Sequence, residues 1–178
     1  MTRRFFMKTV AEFDLKNYSP EWKTFFREAV RVIIIKDGKL AMVKSGRIGY
    51  YKFPGGGRRP GESYVRTAIR ETLEETGLSV IEDSVREFGR ILEKRKSNRH
   101  PGEIFNQVSY YYYAAVDSSL SEQRLDGYER EEGYTLEWVD IAAAYETDLE
   151  FYEKRRSAFL KRELFVLGEL LKADKEDI

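Results

Sequence analysis

Gly56-Gly57-Arg58-Arg59-Pro60-Gly61-Glu62-Ser63-Tyr64-Val65-Arg66-Thr67-Ala68-Ile69-Arg70-Glu71-Thr72-Leu73-Glu74-Glu75-Thr76-Gly77-Leu78 is the stretch that decides the reading of this chain. A glycine-rich turn runs into a predicted helix, with Ser63 as its N-cap and Gly77 as its C′ stop. Glu71, Glu74 and Glu75 stand at i, i+3 and i+4, so they share one helical face. Val65, Ala68, Ile69, Thr72, Leu73 and Thr76 gather on the other side at about 100° per residue. That side is predicted to pack on a sheet while the carboxylates face a cleft. Like charges this close repel by roughly a few tenths of a kcal/mol per pair. A hard divalent cation with oxygen ligands would offset that repulsion.

Gly56, Glu62, Arg70, Glu71, Glu74, Glu75, Gly77 and Leu78 also fall in one register: Gly, five residues, Glu, seven residues, Arg-Glu-apolar-x-Glu-Glu-x-Gly-apolar. This pattern resembles the Nudix box, and Thr72, where an aliphatic residue is usual, is the departure from it. The resemblance covers about residues 28–148. It implies an α/β (α+β) architecture, the Nudix fold, with a mixed β-sheet sandwiched between helices. It also implies Mg²⁺-dependent hydrolysis of a diphosphate linkage in a nucleoside diphosphate joined to another group, with Mn²⁺ as the other candidate cation. Glu71, Glu74 and Glu75 are the implied metal ligands, joined by the backbone carbonyl of Gly55. Arg70 is implied to pair with Glu62 and to orient the first ligand. The family often adds an acidic residue outside the box as ligand or general base. Glu132 is the first candidate and Glu129 the second, both expected on a flexible loop before the Trp138 strand. Candidate substrate-binding cations are Lys52, Arg58 and Arg99.

Composition narrows the chemistry. The chain has 178 residues, enough for one domain of ordinary size. With 31 basic and 31 acidic residues it has no net charge, so no stable nucleic-acid partner is expected. It has no cysteine, hence no disulfide, thiolate metal site or cysteine nucleophile, and its one histidine is His100. A carboxylate-rich, cysteine-free chain with a single histidine suits Mg²⁺ better than softer metals. The longest aliphatic run, Val32 to Ile35, is too short for a bilayer. The apolar run after Arg3 and Arg4 breaks at Lys8, which argues against a signal peptide. The expectation is a soluble cytoplasmic protein, with a homodimer possible.

Around the box the expectations are simple. Residues 1–28 form an aromatic-rich extension (Phe5, Phe6, Phe13, Tyr18, Trp22, Phe25, Phe26) that should pack on the domain or on a partner subunit. Residues 29–148 make the catalytic domain, and 149–178 a C-terminal helix of the same domain. Val30–Ile35 and Leu40–Val43 flank Asp37-Gly38, a strong hairpin signal. Tyr50–Phe53, Val85–Leu92, Val108–Val116 and Leu136–Val139 read as strands. Residues 94–102 read as a basic loop able to receive far phosphates. In a strand, Tyr110–Tyr113 must alternate faces, with two rings in the core and two available to a base pocket.

Substrate subclass stays open. A MutT-like nucleoside triphosphatase competes with nucleotide-sugar and dinucleotide pyrophosphatases. Lys94–Lys96 stand where dinucleoside polyphosphate hydrolases tend to carry a Tyr, and the Pro usual in ADP-ribose pyrophosphatases, about fifteen residues past the box, is absent. A non-catalytic nucleotide sensor usually loses box carboxylates, and this chain keeps them all.

Overall fold

The computed structural model describes residues 7–176, and side chains as far as residue 173. Phe5 and Phe6 lie outside the described residues. Strands β1 (Thr9–Asp14), β2 (Lys23–Ile33), β7 (Arg86–Lys96) and β8 (Glu103–Tyr113) form a mixed sheet in the order β1-β7-β8-β2. β1 runs parallel to β7 and β2 parallel to β8, while β7 and β8 are antiparallel. A second sheet orders β10 (Tyr134–Val139), β4 (Lys39–Ser45) and β3 (Ile35–Lys36), with β5 (Tyr51–Lys52) also on β4. β6 (Leu78–Val80) and β9 (Val116–Leu120) pair separately. The helices are α1 (Tyr64–Thr76), α2 (Gly127–Glu132), α3 (Ile141–Arg155) and α4 (Ala158–Glu176).

Period-two alternation along β2 divides the core. Val30 and Val32 pack with Ala68 of α1, whereas Ile33 packs with Phe53, Tyr111, Ala144 of α3 and Leu167 of α4. The sheets are thus covered by α1 on one side and by α3 and α4 on the other. The Asp37-Gly38 hairpin forms as read, with both residues at positive φ (51° and 73°), as a two-residue primed turn requires.

Several boundaries differ from the sequence reading. Residue 28 falls inside β2, and β1 belongs to the sheet, so the aromatic extension supplies one of its four strands and the first part of another. Residue 149 falls inside α3, and the helical C-terminus is two helices broken at Arg156, which takes φ 49°. Lys94–Lys96 belong to β7, which leaves a short turn before β8 in place of a nine-residue basic loop. Tyr111 and Tyr112 are buried on opposite faces; the Tyr110 hydroxyl donates to Glu28 and Tyr113 packs on Phe88. All four rings are therefore occupied with packing.

Two carboxylates from the C-terminal helices stand in for a missing strand beside β5. Asp148 accepts from the amide of Tyr51 at 2.8 Å, and Glu163 from that of Phe53 at 2.7 Å. Both are fully buried, and burial pushes the Asp148 carboxyl up to about 8, with the nearby Glu163 charge adding to the shift. A raised acid favours the fold at low pH. Its contribution is complete below the unfolded value of about 4 and is lost as pH rises through about 8. Asp148→Asn keeps the acceptor for Tyr51 and removes the titration. Its melting temperature should therefore gain on wild type between pH 5 and pH 9, and a difference that stays constant with pH would refute this account.

Candidate active site

The box loop is a strand in all but geometry. The amides of Val30 and Val32 on β2 donate to the carbonyls of Gly56 and Pro54, and the Arg58 amide returns a bond to Glu28. The turn therefore lies along the open edge of β2. Gly55 sits at φ 137°, and a Cβ there would strike the Val30 carbonyl oxygen. A Cβ at Gly56 would strike the Glu71 carboxylate, so the loop needs glycine to admit that side chain.

α1 begins and ends as expected. The Ser63 hydroxyl accepts from the amide of Arg66 at 3.1 Å, and Gly77 closes the helix at φ 74°. Its buried face, however, keeps only part of the stripe read from the sequence, namely Ala68, Thr72 and Thr76. Thr67, Ala68, Glu71, Thr72, Glu75 and Thr76 are buried, while Val65, Ile69 and Leu73 are half-exposed. Small residues let the helix approach the sheet closely, and the two carboxylates enter with them.

Arg70 gathers the box. Its Nε and Nη2 donate to the two oxygens of Glu62 at 2.7 and 2.9 Å, a bidentate fork. Its Nη1 donates to Glu71 at 2.6 Å and to Glu74 at 3.0 Å, and its Nη2 also reaches the Gly57 carbonyl at 3.2 Å. The fork holds the Glu62 carboxyl down at about 2. Glu71 is pushed up by burial, opposed by Arg70 and reinforced by the charge of Glu75. Glu75 is 1% exposed; it accepts from the Lys52 ammonium and, at 2.8 Å, from the Gly55 amide.

The acidic residues after β9 divide differently from the sequence reading. Glu132 is turned away from the box: its carboxylate accepts from the Ser45 hydroxyl at 3.0 Å and from Arg47 at 3.3 Å. Glu129 is the residue whose carboxyl meets Glu75. Burial raises Glu129 to about 7, with Glu75 contributing, although the Asp126 amide at 2.8 Å pulls the other way. The segment is the short helix α2 rather than a loop, capped by Asp126 and Glu129 reciprocally and stopped by Gly133 at φ 64°.

The three cations read as substrate contacts scatter. Lys52 is buried against Glu75, and burial pushes its ammonium down. Arg58 is bound to Glu28 and covers the ring of Tyr64, on the α1 side of the sheet. Arg99 is exposed in the turn before β8. The cations that sequence reading missed are Arg27 and Arg31 on β2; each sits two residues from Ala29, on the opposite side from Val30 and Val32, and that alternation was the available signal.

Among the described residues no three carboxylate or imidazole groups already converge on one point. The donor set nonetheless fits a hard divalent cation. It is all oxygen, Gly56 leaves a side-chain-free cradle against Glu71, and the Glu71, Glu75 and Glu129 carboxyls repel one another in a buried setting.

With this geometry in place, comparison with known proteins is decisive for the family. The NUDIX domain model matches residues 25–161, and the chain belongs to that family. Among solved structures, the chain resembles a NUDIX hydrolase from Nitrosomonas europaea (TM-score 0.58, 21% identity, 85% of this chain and 91% of that one). It also resembles a mutator MutT protein from Bacillus halodurans (TM-score 0.54, 23% identity, 68% and 72%). Curated relatives include nucleoside diphosphate-linked moiety X motif 6 of Mus musculus, 32% identical over 91 residues, which are 51% of this chain and 26% of that protein. The Xenopus laevis protein of the same name is 38% identical over 68 residues, 37% of this chain and 29% of its own length. The chain thus spans little more than a quarter of these curated relatives. No helix among the described residues is long and apolar enough to cross a membrane.

Proposed function

We propose that this chain is a Mg²⁺-dependent pyrophosphohydrolase that cuts a diphosphate linkage in a nucleoside diphosphate-X compound by attack of water at phosphorus. The observation that carries this reading is the cluster of Glu71, Glu74 and Glu75 around a glycine turn, with Arg70 binding Glu62, Glu71 and Glu74 at once. Glu71, Glu74, Glu75 and the Gly55 carbonyl would hold Mg²⁺, or Mn²⁺ in its place. Bound divalent cations supply neutralisation of the charge that builds on the diphosphate oxygens. The chain's own contribution is placement. Arg70 fixes the rotamers of Glu71 and Glu74, Lys52 and the Gly55 amide fix Glu75, and burial keeps competing water from Glu71 and Glu75. Glu129 replaces Glu132 as the acid outside the box, because it is the one that touches Glu75. From there it can accept a proton from the attacking water.

The test is a panel of nucleoside triphosphates, nucleotide sugars and dinucleotides, assayed for released phosphate or pyrophosphate with Mg²⁺ and with EDTA. Turnover of at least one compound should appear with Mg²⁺ and vanish with EDTA. Metal-independent turnover, or none on any compound, would reject the reading.

A further inference from the structure

The inward face of β2 carries positive charge that no carboxylate of its own answers. Arg27 donates to the neutral side-chain oxygen of Gln107 at 3.1 Å. Arg31 is only 8% exposed; it donates to the Gly55 carbonyl, and its Nε has no partner among the described residues. The other buried cations nearby are matched: Lys52 by Glu75, and Arg162 by Glu93 and Glu163. Glu71 lies within charge range of both β2 arginines, yet its Oε1 is bonded to Arg70. Burial, together with the charges of Arg31, Arg162 and Arg99, lowers the Arg27 guanidinium to about 10. Arg27 thus feels three other arginines, and of these only Arg162 is answered, among the described residues, by buried carboxylates, Glu93 and Glu163.

The backbone between the two arginines is flanked by small groups. Ala29 stands between Arg27 and Arg31 in the strand, its register partner on β8 is Ser109, and its edge partner is Gly57 of the box turn. A Cβ on Gly57 would come within 3.4 Å of the Arg27 Nη2, so the turn runs directly beside this arginine. Charge is therefore divided along the turn. On the α1 side, one arginine faces Glu62, Glu71 and Glu74. On the β2 side the excess is positive. A ligand lying across the turn meets both.

We propose that Arg27 and Arg31, with Arg99 at the rim, form a phosphate-receiving subsite beside the box. The preferred substrate then bears a phosphoryl group beyond the linkage that is cut, as a nucleoside triphosphate does and a nucleotide sugar does not. This rests on the hydrolase reading of the box. The chemistry is direct: a planar guanidinium fork matches phosphate oxygens, and a buried cation without a partner gains most from acquiring one. A neutral sugar in the same place would leave Arg31 buried and unanswered.

The experiment pairs binding with kinetics. Inorganic tripolyphosphate is titrated calorimetrically into the full chain, with EDTA and again with Mg²⁺, for wild type, Arg27→Gln and Arg27→Lys. Arg27 is chosen because Arg31 also holds the Gly55 carbonyl, so its loss would disturb the turn itself. Arg27→Gln should weaken tripolyphosphate by about tenfold or more, the effect of losing a charge-assisted hydrogen bond, and Arg27→Lys should recover part of it. In steady state, triphosphates should have the higher kcat/KM. Arg27→Gln should raise their KM by a similar factor, more than it raises the KM for nucleotide sugars, and Arg27→Lys should recover part of the triphosphate KM. Equal tripolyphosphate binding by wild type and Arg27→Gln overturns the subsite, as does its failure to bind under either condition. A preference for nucleotide sugars that is indifferent to Arg27 also overturns it, while leaving the hydrolase reading intact. Loss of tripolyphosphate binding in Arg27→Gln without turnover of any nucleotide by wild type would uphold the subsite and reject the hydrolase reading.

Discussion

Arg70→Ala is expected to lose about 3 kcal/mol of stability together with nearly all turnover, the lower end of the range for breaking a buried ion pair. The Arg70 side chain is 16% exposed and bonds to three carboxylates and one carbonyl. Truncation strands Glu62, Glu71 and Glu74 together, without their cation. The estimate is held at the lower end because the Glu74 side chain is 30% exposed, so water and salt screen part of the repulsion. Arg70→Lys should fall between wild type and Arg70→Ala, since an ammonium cannot span two oxygens of Glu62 as the fork does. Mg²⁺ should raise the melting temperature of Arg70→Ala more than that of wild type, because the freed carboxylates gain a counter-ion. Urea unfolding and thermal melting of the three proteins, with EDTA and with Mg²⁺, and their rates in the nucleotide panel measure these effects. A midpoint and a rate near wild type for Arg70→Ala would show that the carboxylates neither need nor feel the arginine.

Local signals were legible in the sequence where local physics decides. Ser63 and Gly77 bound α1 as read, and Asp37-Gly38 turns the hairpin, because caps and primed turns depend on a few neighbouring residues. The side of α1 that is buried was legible only in part. Of the stripe that periodicity picks out, Ala68, Thr72 and Thr76 are buried as read, while the larger Val65, Ile69 and Leu73 stay half-exposed, so the helix meets β2 through its small residues. Proximity then carries Glu71 and Glu75 inward, where Arg70, Lys52 and the Gly55 amide satisfy them. Hydrophobicity alone does not register that network. The roles of Asp148 and Glu163 were equally hidden, since they answer the amides of Tyr51 and Phe53, 97 and 110 positions away. The α2 helix did leave a trace: Asp126 stands three residues before Glu129, and Gly133 follows Glu132, a cap and a stop around one short turn.

The choice between Glu129 and Glu132 carries the sharpest kinetic contrast. Glu129→Gln should lower kcat by about 10²–10⁴-fold with little change in KM, the range for loss of a general base. Glu132→Gln should leave the rate nearly intact, because the Glu132 carboxylate is occupied by Ser45 and Arg47, residues fixed 87 and 85 positions earlier. That variant should show its effect in stability, by about 1 kcal/mol, as a charge-assisted bond becomes a neutral one. The glutamine substitution isolates charge from structure at Glu129. Position N3 of a capping box accepts Gln as well as Glu, so the bond to the Asp126 amide survives while the proton acceptor is lost. Glu131→Gln is the control, since Glu131 is exposed. Steady-state kinetics of the three variants, on the best substrate of the nucleotide panel, separate the cases. The reverse pattern, a silent Glu129→Gln and a crippled Glu132→Gln, would require α2 to rearrange when substrate binds and would return the role to Glu132. Equal and small effects at both would leave proton transfer to Glu71, Glu74 or Glu75, the acids that the structure already holds around the glycine turn.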